Sequence, residues 1–169
     1  VVLAMTAIGK DPTNVAGFDL TKPLANFDQT CFQGINGPMF ALIALDSGAY
    51  ELPTADEGIT QATKDMYIEL LLEKQLENGG WSLMGGEAEI DVTAMALQAL
   101  AKYQDRKDVA EAVEKGLAVL SERQNDQGGY QYNAAESVSS ESVSQVIVAL
   151  AELGIALDDS RFVKNGNTL

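Results

Sequence analysis

The sequence predicts an all-α fold of helical hairpin repeats in which enclosed and amphipathic helices alternate. Three observations carry that expectation. A Gln-x-x-x-Gly-Gly-aromatic motif occurs at Gln75-Leu76-Glu77-Asn78-Gly79-Gly80-Trp81 and again at Gln124-Asn125-Asp126-Gln127-Gly128-Gly129-Tyr130, so Gln124 follows Gln75 by 49 residues. Shortly after each aromatic begins an apolar run at helical spacing, and between these runs lies a helix with one apolar and one charged face. Self-similarity at this period marks a repeat architecture, in which each unit buries its apolar face against the next.

The elements follow in chain order. Val1-Val2-Leu3-Ala4-Met5-Thr6-Ala7-Ile8-Gly9 lies over Val146-Ile147-Val148-Ala149-Leu150-Ala151-Glu152-Leu153-Gly154. A repeat helix is therefore expected from the first residues, ending at a glycine suited to a helix C-cap. A helix is expected near 38–47, where Pro38 fits the first turn and Ala44-Leu45 matches the end of the later runs. Residues 64–77 place Tyr67, Leu70, Leu71 and Lys74 at helical intervals. The run 91–103 is apolar almost all round, interrupted by Thr93 and Gln98, which marks a helix enclosed on most sides. In 108–124, Val109, Ala112, Val113, Leu117, Leu120 and Gln124 share one face while Glu111, Glu114, Lys115 and Glu122 point elsewhere. The last helix, 141–153, repeats the one at 91–103: Glu141 matches Asp91 and Ala149-Leu150 matches Ala99-Leu100. Beyond it, Ser160-Arg161-Phe162-Val163 parallels the beginning of the helix at 108. The helices at 38, 91 and 141 are expected on the inside, those at 64 and 108 on the outside.

The Gly-Gly-aromatic turn has a physical role in this scheme. Its glycines let the backbone leave the outer helix at angles a Cβ forbids, with Gly80 the position expected to need them. The preceding Gln is placed to hydrogen-bond the exposed helix end, and the ring to pack over it.

Composition narrows the function. A chain of 169 residues with 46% hydrophobic content can bury a core, and it reads as one domain over 1–169 or part of a larger one. With 25 acidic against 11 basic residues the formal charge is −14, which repels phosphate backbones and anionic headgroups. Nucleic acid is therefore not an expected partner. No apolar run approaches the ~18 residues of a membrane-spanning helix, and Val1–Met5 is too short and uncharged for a signal peptide. Histidine is absent, which removes the usual neutral-pH base, the commonest metal ligand and every Ser-His-Asp or Cys-His arrangement. The single cysteine, Cys31, excludes an internal disulfide framework.

These residues resemble the prenyltransferase and squalene-cyclase repeat family, the αα-toroid superfamily, whose QW repeats read Gln-x-x-x-Gly-x-Trp ahead of an inner helix. The resemblance covers residues 64–154 well and the first 60 loosely. The run Gly34–Ser47, followed by the two QW-like copies, looks most similar to the prenyltransferase-like regions of secreted or cell-surface proteins of Gram-positive bacteria. It implies a partial α/α barrel and an extracellular or cell-surface location. A closed ring needs more helices than this chain supplies, so a second copy in a homodimer, or further sequence, is expected to cover the inner helices. The resemblance is specific for fold rather than activity, because such toroids also serve as terpene cyclases, prenyltransferase subunits, thioester domains and cobalamin carriers.

The sharpest catalytic candidate is Glu89-Ile90-Asp91-Val92-Thr93-Ala94, which is similar to the Asp-x-Asp-Asp-Thr-Ala acid motif of squalene-hopene cyclases. By that resemblance Asp91 would protonate substrate and Glu89 stands at the first acidic position, but the last Asp is replaced by Val92. Read on the residues alone, Asp91 caps the inner helix, as Asn36 and Glu141 stand at the corresponding places. Prenyltransferase zinc chemistry lacks its histidine, and Cys31-Phe32-Gln33-Gly34 does not match a Cys-Gly-Glu-Gln thioester. Cys31 reads as a small buried apolar residue. Trp81, Tyr130 and Tyr132 lie in turns and are the candidates for contacting a ligand, with packing as the bland alternative for Trp81 and Tyr130. Glu87, Glu89, Asp105 and Asp108 form no calcium-loop pattern, and no metal or cofactor is expected. The expected function is a non-catalytic module of a bacterial surface or secreted protein, serving adhesion or binding of a protein or glycan. The alternatives are a degenerate terpenoid cyclase using Asp91 and a structural spacer.

Overall fold

The computed structural model describes residues 1–131 and 137–169. Among these the chain is all-α, with seven α-helices, no strands, and three isolated bridge pairs at turns. The chain divides into two compact units, Val1–Glu73 and Lys74–Leu169.

The first unit contains α1 (Val2–Ala7), a 3₁₀ turn (Lys22–Ala25), α2 (Phe27–Cys31), α3 (Asn36–Asp46) and α4 (Lys64–Glu73). α3 packs against the other three helices. Met39, Leu42 and Leu45 of α3 are fully buried with Tyr67, Ile68 and Leu71 of α4, and this apolar seam is the core of the unit. Pro38 stands in the first turn of α3, where its missing N–H has no intrahelical partner to lose. Asn26 caps α2 by accepting from the Gln29 N–H at 3.0 Å, and Thr63 accepts from Met66 N–H at 3.1 Å ahead of α4. Lys64 and Asp46, paired at 2.8 Å, tie the start of α4 to the end of α3.

The second unit contains α5 (Ile90–Leu100), continued as a 3₁₀ turn (Ala101–Tyr103), then α6 (Lys107–Arg123), α7 (Ser140–Glu152) and a 3₁₀ turn (Ser160–Phe162). α5 packs against both α6 and α7. Eight of its eleven residues are buried, against six of the seventeen in α6, so α5 is the enclosed helix and α6 the amphipathic one.

All five expected helices are present. α4 ends at Glu73 rather than 77, because Leu76 N–H turns to Gly80 O at 2.9 Å and leaves the helical ladder. The predicted match between 1–9 and 146–154 extends to individual hydrogen bonds. α1 and α7 both end in a left-handed glycine, Gly9 at φ 69° and Gly154 at φ 71°. Lys10 N–H bonds Met5 O at one and Ile155 N–H bonds Leu150 O at the other, both at 2.9 Å. α3 ends the same way through Ala49 (φ 54°), with Tyr50 N–H on Leu45 O at 2.8 Å.

Residues 160–163 do not open a long helix as their likeness to 108 suggests. Asn165 and Gly166, at φ 51° and 84°, make a tight turn in which Lys164 and Asn167 exchange backbone bonds at 2.9 and 2.8 Å. The same turn occurs at Val15-Ala16-Gly17-Phe18, with bonds of 2.8 and 3.0 Å between Val15 and Phe18.

Candidate functional site

The Gln-x-x-x-Gly-Gly-aromatic motif builds one turn twice. Gln75 Nε2 donates to Gly79 O at 2.7 Å and to Ala112 O in α6 at 2.8 Å. Gln124 Nε2 donates to Gly128 O at 2.9 Å and to Phe162 O at 3.0 Å. The glutamine thus ties its own turn to the next segment of chain, rather than to the end of its own helix as the sequence suggested. The turns close alike: Leu76 N–H meets Gly80 O and Asn125 N–H meets Gly129 O, each at 2.9 Å. The left-handed glycine is Gly79 (φ 93°) or Gly128 (φ 86°), so the expectation of unusual angles at Gly80 is corrected by one residue. Gly80 is confined by space instead, since a Cβ there would run into Ala88 and Thr93.

Both aromatics of the motif are fully buried. Trp81 N–H donates to Thr93 Oγ1 at 3.0 Å, while Thr93 Oγ1 donates back to Trp81 O at 3.3 Å. Tyr130 donates its hydroxyl to Leu120 O at 3.0 Å, and burial pushes its phenol well above the ordinary tyrosine range. Trp81 and Tyr130 therefore present no ring to a ligand, which corrects their place among the candidate contacts. Tyr132, the third candidate, lies outside the described residues. Thr93, which the sequence showed as a polar interruption, is the latch between turn and helix.

The acidic candidates are also relocated. Glu89, not Asp91, holds the N-cap position of α5, and it makes no capping bond. Its carboxylate accepts from Ser82 Oγ at 3.2 Å, within the turn. Asp91 is exposed in the first helical turn, where a carboxylate complements the helix dipole. The capping expectation for Asp91 is thus overturned because the cap position lies two residues earlier. Its repeat partner Glu141 sits likewise inside α7, behind the true cap, Ser139, which accepts from Ser142 N–H at 3.1 Å. Its own backbone N–H, then Ser140 and Ser139, hold the Glu141 carboxyl below the usual glutamate range. Asn36 opens α3 as its first residue, again past the cap position. The Asp91 side chain is exposed rather than set in a hydrocarbon-lined cavity.

A different feature offers a binding surface. In the first unit a groove of about 510 Å³ runs between α1 and α3, with the 3₁₀ turn and α2 along it. Val2 and Leu3 form one wall, Phe40, Ala41 and Ala44 the other, and Pro23 and Leu24 close one side. Among the described residues no charged side chain lines it; Gln29 and Thr30 supply its polar atoms. Its size and lining suit an apolar ligand with a few polar contacts. Leu3 and Phe40, at 45% and 53% exposure, leave the rim open to solvent.

No known protein family, curated protein or solved structure matches the chain. The site must be read from its own chemistry. Among the described residues no three His, Cys, Asp or Glu side chains converge on a metal-sized site. Cys31, at the end of α2, is half-buried, and burial followed by the nearby Asp28 pushes its thiol up, so it stays protonated and a poor nucleophile at neutral pH. No described helix is long and apolar enough to cross a membrane. Sequence reasoning missed the groove because it assigned no helix to residues 10–35. The Asn26 cap signal and Pro23 were the legible hints there.

Proposed function

We propose that the chain is a non-catalytic binding module of the αα-toroid type, and that the α1–α3 groove is its ligand site. The repeated glutamine turns support the repeat architecture, and the resemblance of the QW-like copies supports a place in a bacterial surface or secreted protein. The observation that carries the binding reading is the groove itself, apolar, open and free of charged lining side chains. The burial of Trp81 and Tyr130 removes two of the three aromatic candidates for stacking on a sugar, and the apolar lining of the groove favours a protein partner over a glycan. The exposure of Asp91 argues against cyclase chemistry.

The test is titration with a neutral apolar fluorophore such as N-phenyl-1-naphthylamine. Saturable binding by the parent chain, lost in an Ala44→Trp variant of unchanged circular dichroism, is the expected result. Equal binding by both would remove the groove as the site. Incubation with squalene or polyprenyl diphosphates is expected to leave the substrate unchanged; cyclised product that vanishes in Asp91→Asn would make Asp91 catalytic.

A further inference from the structure

We propose that the α1–α3 groove receives a basic amphipathic helix from a partner protein. This rests on the groove being the ligand site and adds what fills it.

The first support is internal comparison. Aligning the helix ends, with Met5 over Leu100 and Leu45 over Leu150, matches α1 to α5 and α3 to α7. Leu3 then corresponds to Gln98, and Phe40 to Gln145. In the second unit these two glutamines bridge the helices, Gln145 Nε2 donating to Gln98 Oε1 at 3.2 Å. In the first unit the same two positions are apolar and exposed, on the rim of a groove. The intervening element differs too: between α5 and α7 lies α6, 17 residues long, whereas between α1 and α3 lie a 3₁₀ turn of 4 residues and an α2 of 5. α6 packs against α5, and in the first unit no helix of that length packs against α1, whose groove with α3 is open to the apolar stripe of a partner helix.

The second support is charge. Residues 1–73 contain three basic side chains, Lys10, Lys22 and Lys64, against ten acidic ones. Lys22 and Lys64 are held by Asp56 and Asp46, each at 2.8 Å. Asp19 and Asp28 directly adjoin the groove-lining Leu20 and Gln29 in sequence. An apolar trough in an acidic unit favours a helix whose polar face is lysine or arginine, and repels an acidic one.

The experiment uses the full chain and three labelled peptides: a Leu/Lys amphipathic helix, its Leu/Glu counterpart, and a Ser/Lys peptide of equal charge without the apolar face. Anisotropy is expected to show saturable one-to-one binding of Leu/Lys alone, weakened but not abolished by salt. The double variant Leu3→Gln/Phe40→Gln installs the amide pair found between α5 and α7 at two solvent-exposed positions. It should keep the parent's circular dichroism and bind Leu/Lys at least about tenfold more weakly. Equal binding of Ser/Lys, equal binding of Leu/Glu, or undiminished binding by the double variant would each overturn the proposal. So would a parent chain that dimerises through Leu3 and Phe40, which would make a second copy the occupant. Failure of every peptide while the neutral fluorophore still binds in the groove overturns the helical occupant and leaves the ligand site standing. Failure of both overturns both.

Discussion

Gln124→Glu is the sharpest probe of the repeated turn, because it changes one donor group into an acceptor at almost constant volume. Gln124 is 5% exposed, and its Nε2 serves Gly128 O and Phe162 O at 2.9 and 3.0 Å, while its Oε1 has no partner among the described residues. A glutamate there loses both donated bonds, together worth about 1–3 kcal/mol. It also sets a carboxylate against two carbonyl oxygens. Burial of this kind raises a glutamate pKa toward about 7–8, a further cost of roughly 4 kcal/mol near neutrality. The folded-state pKa lies above the unfolded one, so the stability is kept below the ordinary glutamate range and lost as pH rises through the folded value. The predicted loss relative to the parent is therefore about 5–7 kcal/mol near pH 7.5 and about 1–3 kcal/mol near pH 4. Urea denaturation followed by the fluorescence of Trp81, the single tryptophan, measures both. A loss below about 1 kcal/mol near pH 7.5, or the same loss at both pH values, would refute the tie between turn and following segment.

Other parts of the structure make separate demands. Gly79→Ala forces a Cβ to within 2.9 Å of Lys115 Cβ at a φ of 93° and should lower stability by about 1–3 kcal/mol by denaturant melts; an unchanged midpoint would deny the left-handed turn. Trp81→Ala empties a fully buried site and should cost about 3–5 kcal/mol, whereas a ligand-platform tryptophan would leave stability intact. Hydrogen bonds from Arg161 hold the Asp159 carboxyl below the usual aspartate range, so its stabilisation is present above that range and lost as pH falls through the depressed value. Asp159→Asn should accordingly flatten the acid limb of the stability profile; a profile of unchanged slope would show that the pair does not contribute.

Much of the architecture was legible because periodicity reports burial. The mostly apolar circumference of 91–100 and the one-sided pattern of 108–124 become an enclosed and an amphipathic helix with boundaries within a residue or two. The 49-residue echo is reproduced by paired hydrogen bonds at Gln75 and Gln124. The side-chain roles were less legible, because they depend on offsets of one residue that a repeat alignment does not resolve. Asp91 lines up with Glu141, but each is the second residue of its helix, two places past the cap, so neither caps. Gly79 and Gly80 are indistinguishable as letters, and only backbone angles separate the left-handed one from the sterically confined one. The groove was invisible because its lining is drawn from segments far apart in sequence, 1–3, 20–30 and 37–44, and a pattern search rewards what recurs.

The central claim is that function resides in the α1–α3 groove and not at Asp91. Amide chemical-shift mapping of the labelled chain during titration with the neutral fluorophore tests it most directly. The predicted result is a set of saturable shifts centred on Val2, Leu3, Phe40, Ala41 and Ala44, with Asp91 and its neighbours unmoved. Shifts centred on Glu89–Thr93, or none at saturating probe, would contradict it.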